Sequence, residues 1–225
     1  MSDGSAQDPA QSDTPRYGRG ELVADAVVHV VGIAAALVAC VVLAMTAPWN
    51  AGPGPAIALG LYAAGLLGML GCSALYNLAG EARRRALLRR LDHSAIFAMI
   101  AGTYTPVAGI GIGGMWGWGL LGAVWTGAAG GAALKLLAPA RFERASILAY
   151  LALGWAGVVA LDPLLAALTV HDLLFLAAGG ALYSLGVVVH LATRLRYHNA
   201  LWHVFVIAAA ACHYAVILHL AQMAR

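Results

Sequence analysis

The chain alternates between long apolar runs and short clusters of polar and charged residues. Five intervals contain no Asp, Glu, Lys or Arg: residues 26–80, 93–134, 145–161, 173–193 and 197–224. A membrane-spanning helix needs about 17–25 apolar residues, so each of the first two intervals is long enough for two helices. A Pro- and Gly-rich segment, 48–55, divides the first of them, and the glycine-rich segment 109–114 divides the second.

This pattern predicts an all-α fold, a bundle of seven transmembrane helices. The predicted helices cover about residues 26–47, 55–79, 93–112, 116–138, 145–161, 173–193 and 200–223. The fifth is the shortest of the seven. Residues 1–20 are polar and rich in Pro, Ser, Gln and Asp, which predicts a disordered tail before a membrane domain at 21–225. The long apolar runs lack the alternation that a membrane β-barrel requires.

The composition excludes several classes of protein. Hydrophobic residues make up 62% of the chain and charged residues only 10%, which is incompatible with a water-soluble enzyme or a disordered chain. The net charge of +3 comes from basic residues scattered between apolar runs, so nucleic acid is not an expected partner. Three cysteines lie within apolar runs and form no metal-binding pair in the sequence.

The distribution of basic residues predicts the orientation in the membrane. With a cytoplasmic N-terminus and seven helices, twelve of the thirteen basic residues fall on the inner side, and only Arg225 falls outside. The inner residues are Arg16, Arg19, Arg83, Arg84, Arg85, Arg89, Arg90, Lys135, Arg141, Arg144, Arg194 and Arg196. We therefore expect a multi-pass protein of the cell membrane, with the N-terminus in the cytoplasm, the C-terminus outside and membrane lipids as its surroundings.

Polar residues within the helices gather at the inner ends. They are Asp25 and His29 in helix 1, Ser73 and Asn77 in helix 2, Asp92 and His93 in helix 3, His190 in helix 6, and His198, Asn199 and His203 in helix 7. A spacing of four places two side chains on one helical face. The sequence therefore predicts a polar pocket that opens to the cytoplasm. The alternative is that headgroups solvate these residues individually at the membrane surface.

Several of these residues lie in motifs that resemble the hemolysin III family, bacterial relatives of the progestin and adipoQ receptors (PAQR). The motifs are Ser73 to Asn77, Leu91 to Phe97, Ala101 to Pro106, Leu182 to Gly186, Leu201 to Val206 and Cys212 to Tyr214. The resemblance covers about residues 20–222. It implies seven helices and a zinc ion near the cytoplasmic face. Eukaryotic relatives have been linked to hydrolysis of ceramide-type amides, so it also implies a hydrolase-like site for a lipid-like substrate.

The metal ligands that the resemblance implies are only partly present. Its three zinc-binding histidine positions correspond to Asn77, Asn199 and His203, while Ser73 and the catalytic Asp92 match. His198 lies about 140° around the helix from His203 and cannot share its face. An amide oxygen is a poor zinc ligand, so we expect weak or absent zinc binding unless other histidines replace the missing ligands. The possible replacements are His29, His93, His190 and His198.

Three functions remain open from the sequence. The first is a metal-dependent amide hydrolase with a degenerate site, in which Asp92 acts on the attacking water. The second is a metal-free protein that binds a lipid or signals through a partner. The third is the cytolytic or pore-forming activity that the family name implies. A pore requires polar residues along the full depth of several helices, and the outer halves of helices 1, 2 and 4 are nearly all Ala, Leu, Val and Gly.

Overall fold

A computed structural model describes residues 18–78, 82–138 and 143–224. The polar tail preceding Gly18, with Arg16, lies outside the described residues, as do Arg141, Arg225 and the side chains of Arg83 and Arg144. Seven helical stretches in the described part are long and apolar enough to cross a membrane, so the predicted seven-helix membrane fold is confirmed. The orientation of the termini stays a prediction.

The described elements follow one another as an up-and-down series. They are α1 (Arg19–Thr46), α2 (Pro53–Leu78), α3 (Ala82–Pro106), a π-helical segment (Val107–Ile112), α4 (Gly114–Leu137), α5 (Glu143–Gly154), a 3-10 segment (Ala156–Ala160), α6 (Leu161–Ala167), α7 (Val170–Leu191) and α8 (His198–Met223). The fifth span combines α5, the 3-10 segment and α6.

Helix ends differ from those that the apolar pattern suggests. α1 begins at Arg19 rather than near residue 26, because the Glu21 carboxylate accepts a hydrogen bond from the backbone N–H of Gly18 (2.8 Å) and stabilises the first turn. α3 begins at Ala82 rather than at 93, since its first turns carry the basic cluster beyond the apolar run. The fifth span continues to Ala167, past the predicted end at 161, as a broken helix.

The connection between the third and fourth spans is shorter than the glycine-rich pattern indicates. Pro106 has no N–H to donate, and the helix continues beyond it as the π-helical segment up to Ile112. The chain turns only at Gly113 and Gly114, whose φ values are 63° and 55°. These values lie in the left-handed region, which favours glycine.

The order of packing brings four helix ends together. α1 packs against α2, α2 against α3, and α8 packs against α1, α2 and α3, so α8 closes the bundle. Because consecutive spans are antiparallel, the first turns of α1, α3 and α8 and the last turn of α2 lie on one side of the membrane. We call this the inner side; it is the side predicted to face the cytoplasm.

The outer surface of the bundle is apolar along the spans. In α1, Val27, Val30, Val38 and Val41 are all more than half exposed, and Leu174 and Val188 in α7 are equally exposed. A water-soluble monomer rarely exposes so large an apolar surface, so these side chains are suited to contact with lipid tails.

Candidate metal centre

A buried group of polar side chains lies at the inner ends of α1 and α8. Asp25 and His29 are 7% and 5% exposed, although they are polar residues of the first span. The side chain of His203, in the second turn of α8, is 11% exposed and faces them. Candidate ligand atoms of these three residues lie within 4.8 Å of one another, so this group could hold a metal ion.

The backbone and side chain of Asp25 orient both imidazole rings. Nδ1 of His29 donates to the carbonyl oxygen of Asp25, one turn earlier in α1 (2.8 Å). Nδ1 of His203 donates to Oδ1 of Asp25 (2.6 Å). The two rings meet edge to face, with centroids 4.3 Å apart. A carboxylate or carbonyl that holds one ring nitrogen is the usual support of a metal-binding histidine.

These hydrogen bonds determine which nitrogen of each ring carries a lone pair. Since Nδ1 is the donor in both rings, Nε2 is the acceptor in the neutral imidazole. Nε2 of His29 is 3.3 Å from the Asn77 amide nitrogen and 3.2 Å from the Ser73 hydroxyl. Nε2 of His203 lies 3.3 Å from the same hydroxyl. Two imidazole lone pairs therefore point toward one small region around Ser73.

Helix α2 lines this region with Ser73 and Asn77. The Asn77 amide nitrogen donates to the carbonyl oxygen of Ser73 (2.9 Å), which fixes the amide on the inner face of α2. The side-chain oxygen of Asn77 accepts a long hydrogen bond from the side-chain amide of Asn199 (3.4 Å). Asn77 and Asn199, the two positions at which the family pattern has histidine, are thus neighbours at the edge of the group.

Asp92 adds a second carboxylate from α3. It interacts with the Ser73 side chain and with the charge of His203 and Arg89. The structure thus places Ser73, Asp92 and His203 together, from three helices. Asp25 bonds to Nδ1 of His203, whereas Ser73, which also interacts with Asp92, faces its Nε2.

Three histidines that the sequence offered as replacement ligands lie elsewhere. The ring of His93 donates from Nδ1 to the carbonyl of Arg89 (2.8 Å) and lies next to Asp92. His190 packs on the Trp202 ring, with centroids 5.3 Å apart. His198 is buried beside Glu21, because α8 begins as a regular helix and keeps it off the face of His203. Of the four replacements, only His29 joins the group.

The role of Asp25 is the feature that sequence reasoning missed. The spacing of Asp25 and His29 shows that they share a face of α1, and it suggests a paired function. The partner of the Asp25 carboxylate, however, is 178 positions later in the chain. The sequence places Asp25 and His203 at a similar depth in the membrane, near the inner ends of their helices. Similar depth alone does not establish that two side chains are in contact.

Two cavities adjoin the group from opposite directions. A polar cavity of about 820 Å³, partly open to solvent, is lined on the inner side by Asp25, His29, Asn77, Asn199, Arg85 and Glu21. A mostly apolar cavity of about 1180 Å³, also partly open, runs between α3, α5, α7 and α8. Asp92 and Trp202 line the apolar cavity, and they lie next to Ser73 and His203 respectively.

Comparison with known proteins gives consistent matches over most of the chain. Residues 21–214 match the family model described as "Haemolysin-III related". The chain is 35% identical over 198 residues to "Hemolysin-3" of Bacillus cereus, which covers 88% of this chain and 90% of the relative. It is 31% identical over 198 residues to "Hemolysin-3 homolog" of Bacillus subtilis (strain 168). That match spans 88% of this chain and 93% of the relative.

Proposed function

Since the chain belongs to the hemolysin III family, we propose that this multi-pass membrane protein binds zinc through Asp25, His29 and His203 and hydrolyses an amide bond in a membrane lipid. The observation that carries the proposal is the convergence of two imidazole Nε2 atoms on Ser73, with Asp25 beside both rings. The reaction class comes from the resemblance to the PAQR proteins.

The donor set suits zinc. Catalytic zinc sites use three protein ligands and leave a fourth position open, and two histidines with one carboxylate are a common combination. His29 supplies an imidazole where α2 has none, because its Nε2 lies 3.3 Å from the Asn77 amide, at the ligand position of the family pattern. In this proposal α1 supplies the imidazole that α2 lacks, and we expect tighter zinc binding than the motif comparison alone predicts.

The residues around the group would divide the chemistry of amide hydrolysis. Zinc supplies Lewis acidity, which polarises a carbonyl and makes water a stronger nucleophile. Asp92 is placed to accept a proton from the attacking water and to return it to the leaving amine, as a general base and then a general acid. The Ser73 hydroxyl lies between Asp92 and both rings and positions that water by hydrogen bonds.

The apolar cavity would hold the acyl part of the substrate. Met69, Ile96, Met99, Ile100 and Leu151 line it, and Asp92 lies at the end nearest the metal centre. A buried pocket with a few polar groups at one end is the usual form of a lipid-binding site. The polar cavity on the inner side would give water a separate path to the same atoms.

Metal content tests the proposal directly. We expect about one zinc per chain in protein purified in detergent without chelator and measured by inductively coupled plasma mass spectrometry. His29→Ala and His203→Ala should lose it. His190→Ala is the matched control, because His190 is another inner-end histidine that packs on Trp202 outside the group. Wild-type protein that stays metal-free after dialysis against zinc would refute the proposal.

Activity is tested separately with the same preparations. Protein in lipid nanodiscs is incubated with ceramide, and the released fatty acid is measured by mass spectrometry. We expect release by the zinc-loaded wild type and none by His203→Ala. If the zinc-loaded wild type releases no fatty acid, the proposed amide hydrolysis is refuted, whereas the proposed zinc binding is not.

Cytolysis is the second candidate function, because both relatives carry the name Hemolysin-3. Dye leakage from lipid vesicles containing the purified protein distinguishes it. We expect no more leakage than from vesicles alone, since the outer halves of α1, α2 and α4 consist almost entirely of Ala, Leu, Val and Gly. Leakage that persists in His203→Ala would favour a pore and argue against the metal centre as the functional site.

A further inference from the structure

The residue that precedes α8, Tyr197, has a left-handed backbone conformation. Its φ and ψ are 62° and 17°, and no other described residue except glycine has a positive φ. For a residue with a Cβ atom this conformation is costly, and it persists only where surrounding contacts enforce it. The Tyr197 side chain makes no capping hydrogen bond to α8. The start of α8 is therefore held by a contact from elsewhere in the chain.

That contact comes from Glu21, in the first turn of α1. Its Oε1 accepts a hydrogen bond from the backbone N–H of Tyr197 (3.1 Å), and its Oε2 accepts one from the backbone N–H of Gly18 (2.8 Å). The carboxylate also interacts with the charges of Arg196 and His198. A negative charge beside the first turn of a helix is favourable for the helix dipole. One side chain thus ties the first turns of α1 and α8 together, and we call the contact between Glu21 and Tyr197 the clasp.

The clasp belongs to the same interface as the candidate metal group. Glu21, Asp25 and His29 follow one another at a spacing of four, so they lie on one face of α1. On α8, Tyr197 bonds to Glu21, and His203, six residues later, bonds to Asp25. Both helices begin on the inner side, so the two contacts come in the same order along both chains. The direction in which His203 points depends on where the first turns of α8 lie.

We propose that Glu21 is a positioning residue of the metal centre: it holds Tyr197 in the left-handed conformation and so directs His203 toward Asp25 and His29. Glu21 is not one of the three candidate ligands, and its effect on the metal passes through His203. The consequence for zinc rests on the proposed function. The effect on α8 does not, because the clasp is made entirely of protein atoms and is tested without metal.

Glu21→Gln removes the charge and one of the two acceptor oxygens. A glutamine side chain has a single acceptor oxygen, so it cannot serve Gly18 and Tyr197 through separate oxygens. In full-length, EDTA-treated protein, hydrogen exchange followed by mass spectrometry should be about tenfold faster or more at the amides of residues 201–203, because a hydrogen bond to a charged group is lost. The first of these amides, that of Leu201, donates to the Tyr197 carbonyl (2.9 Å). Zinc affinity should fall by about tenfold, as expected when a metal-binding histidine loses its orientation.

Two double variants locate the effect at the backbone of Tyr197. Glycine adopts the left-handed conformation without the steric cost of a Cβ atom. In the Glu21→Gln background, Tyr197→Gly should therefore restore most of the amide protection and of the zinc affinity. Tyr197→Ala removes the same ring but keeps the Cβ atom, and should fall short of the glycine variant by at least about fivefold. Neither substitution restores the cap that Glu21 gives α1, so rescue by glycine alone excludes an effect through α1.

Asp162→Asn is the control for loss of an acidic side chain. Asp162 is exposed in the first turn of α6, and its replacement should change neither exchange at residues 201–203 nor zinc affinity.

Three results would overturn the proposal. The first is unchanged exchange at residues 201–203 in Glu21→Gln, and the second is faster exchange that the glycine and alanine variants restore equally or not at all. The third is faster exchange with unchanged zinc affinity. A wild type that binds no zinc refutes the proposed metal centre instead, while the exchange measurements still decide whether Glu21 positions His203.

Discussion

Replacing Asp25 by Asn tests whether its carboxylate supports the proposed metal centre. The side chain keeps its size, and the backbone carbonyl that orients His29 is unchanged. The bond from Nδ1 of His203 to Oδ1 of Asp25, 2.6 Å long, is charge-assisted in the wild type and becomes neutral in the variant. The change therefore affects one of the two rings and removes one negative charge from the site.

The expected loss follows from these contacts. Weakening a group that orients a metal-binding histidine costs about 10–100-fold in affinity. If the Asp25 carboxylate also binds the ion itself, as the proposed donor set requires, the loss should reach or exceed the upper end of that range. At about 1.4 kcal/mol for each tenfold change, we expect zinc binding to weaken by about 3 kcal/mol or more.

The assay is a competition titration of zinc between the detergent-purified protein and a chromophoric chelator. Asp172→Asn is a closely matched control, because Asp172 is 4% exposed and pairs with His219 (3.0 Å) near the opposite ends of the spans. It should bind zinc as the wild type does. Equal affinities for wild type and Asp25→Asn would refute the geometric reasoning, and so would equal losses in the two variants.

Three further predictions follow from the same structure and sequence. Reporter fusions after Arg85 and after Arg225 should report opposite sides of the membrane, with the first cytoplasmic; the same side for both would contradict the odd number of spans. Asp92→Asn should lower lipid-amide hydrolysis by about 100-fold or more while zinc content stays near that of the wild type, and full activity would exclude Asp92 as the general base. Asn199→His should bind zinc more tightly, since it adds an imidazole one turn before His203 on the same face of α8, and unchanged affinity in the chelator titration would contradict that placement.

The fold was predictable because lipid imposes a simple requirement on sequence. A helix that crosses the bilayer needs about 20 apolar residues, so charge-free intervals reveal the spans without knowledge of any tertiary contact. Helix ends were not predictable in this way. α1 extends to Arg19 because Glu21 caps its first turn, and the fifth span is broken at the 3-10 segment. Both features depend on local hydrogen bonds, which the apolar pattern does not show.

The site was predictable only in part, for a related reason. Motif resemblance identified Ser73, Asp92 and His203, and these three residues do meet. It also suggested a degenerate site, because Asn77 and Asn199 were compared with ligand positions one by one. A histidine from a different helix, His29, reaches the same small region through tertiary packing of α1 on α8 and α2. Residue-by-residue comparison cannot reveal that a histidine of α1 lies beside Asn77.

In the proposed reaction, the position of the group between two unlike cavities would account for the polar residues buried at this depth. Hydrolysis of a lipid requires water and an apolar chain at the same atoms, although the two partition to opposite phases. Asn77 and Asn199 line the polar cavity, and Asp92 and Trp202 line the apolar one. The layer between them contains Ser73 and the two imidazoles. A site in this layer is open to both phases, whereas a metal centre at the membrane surface would meet water alone.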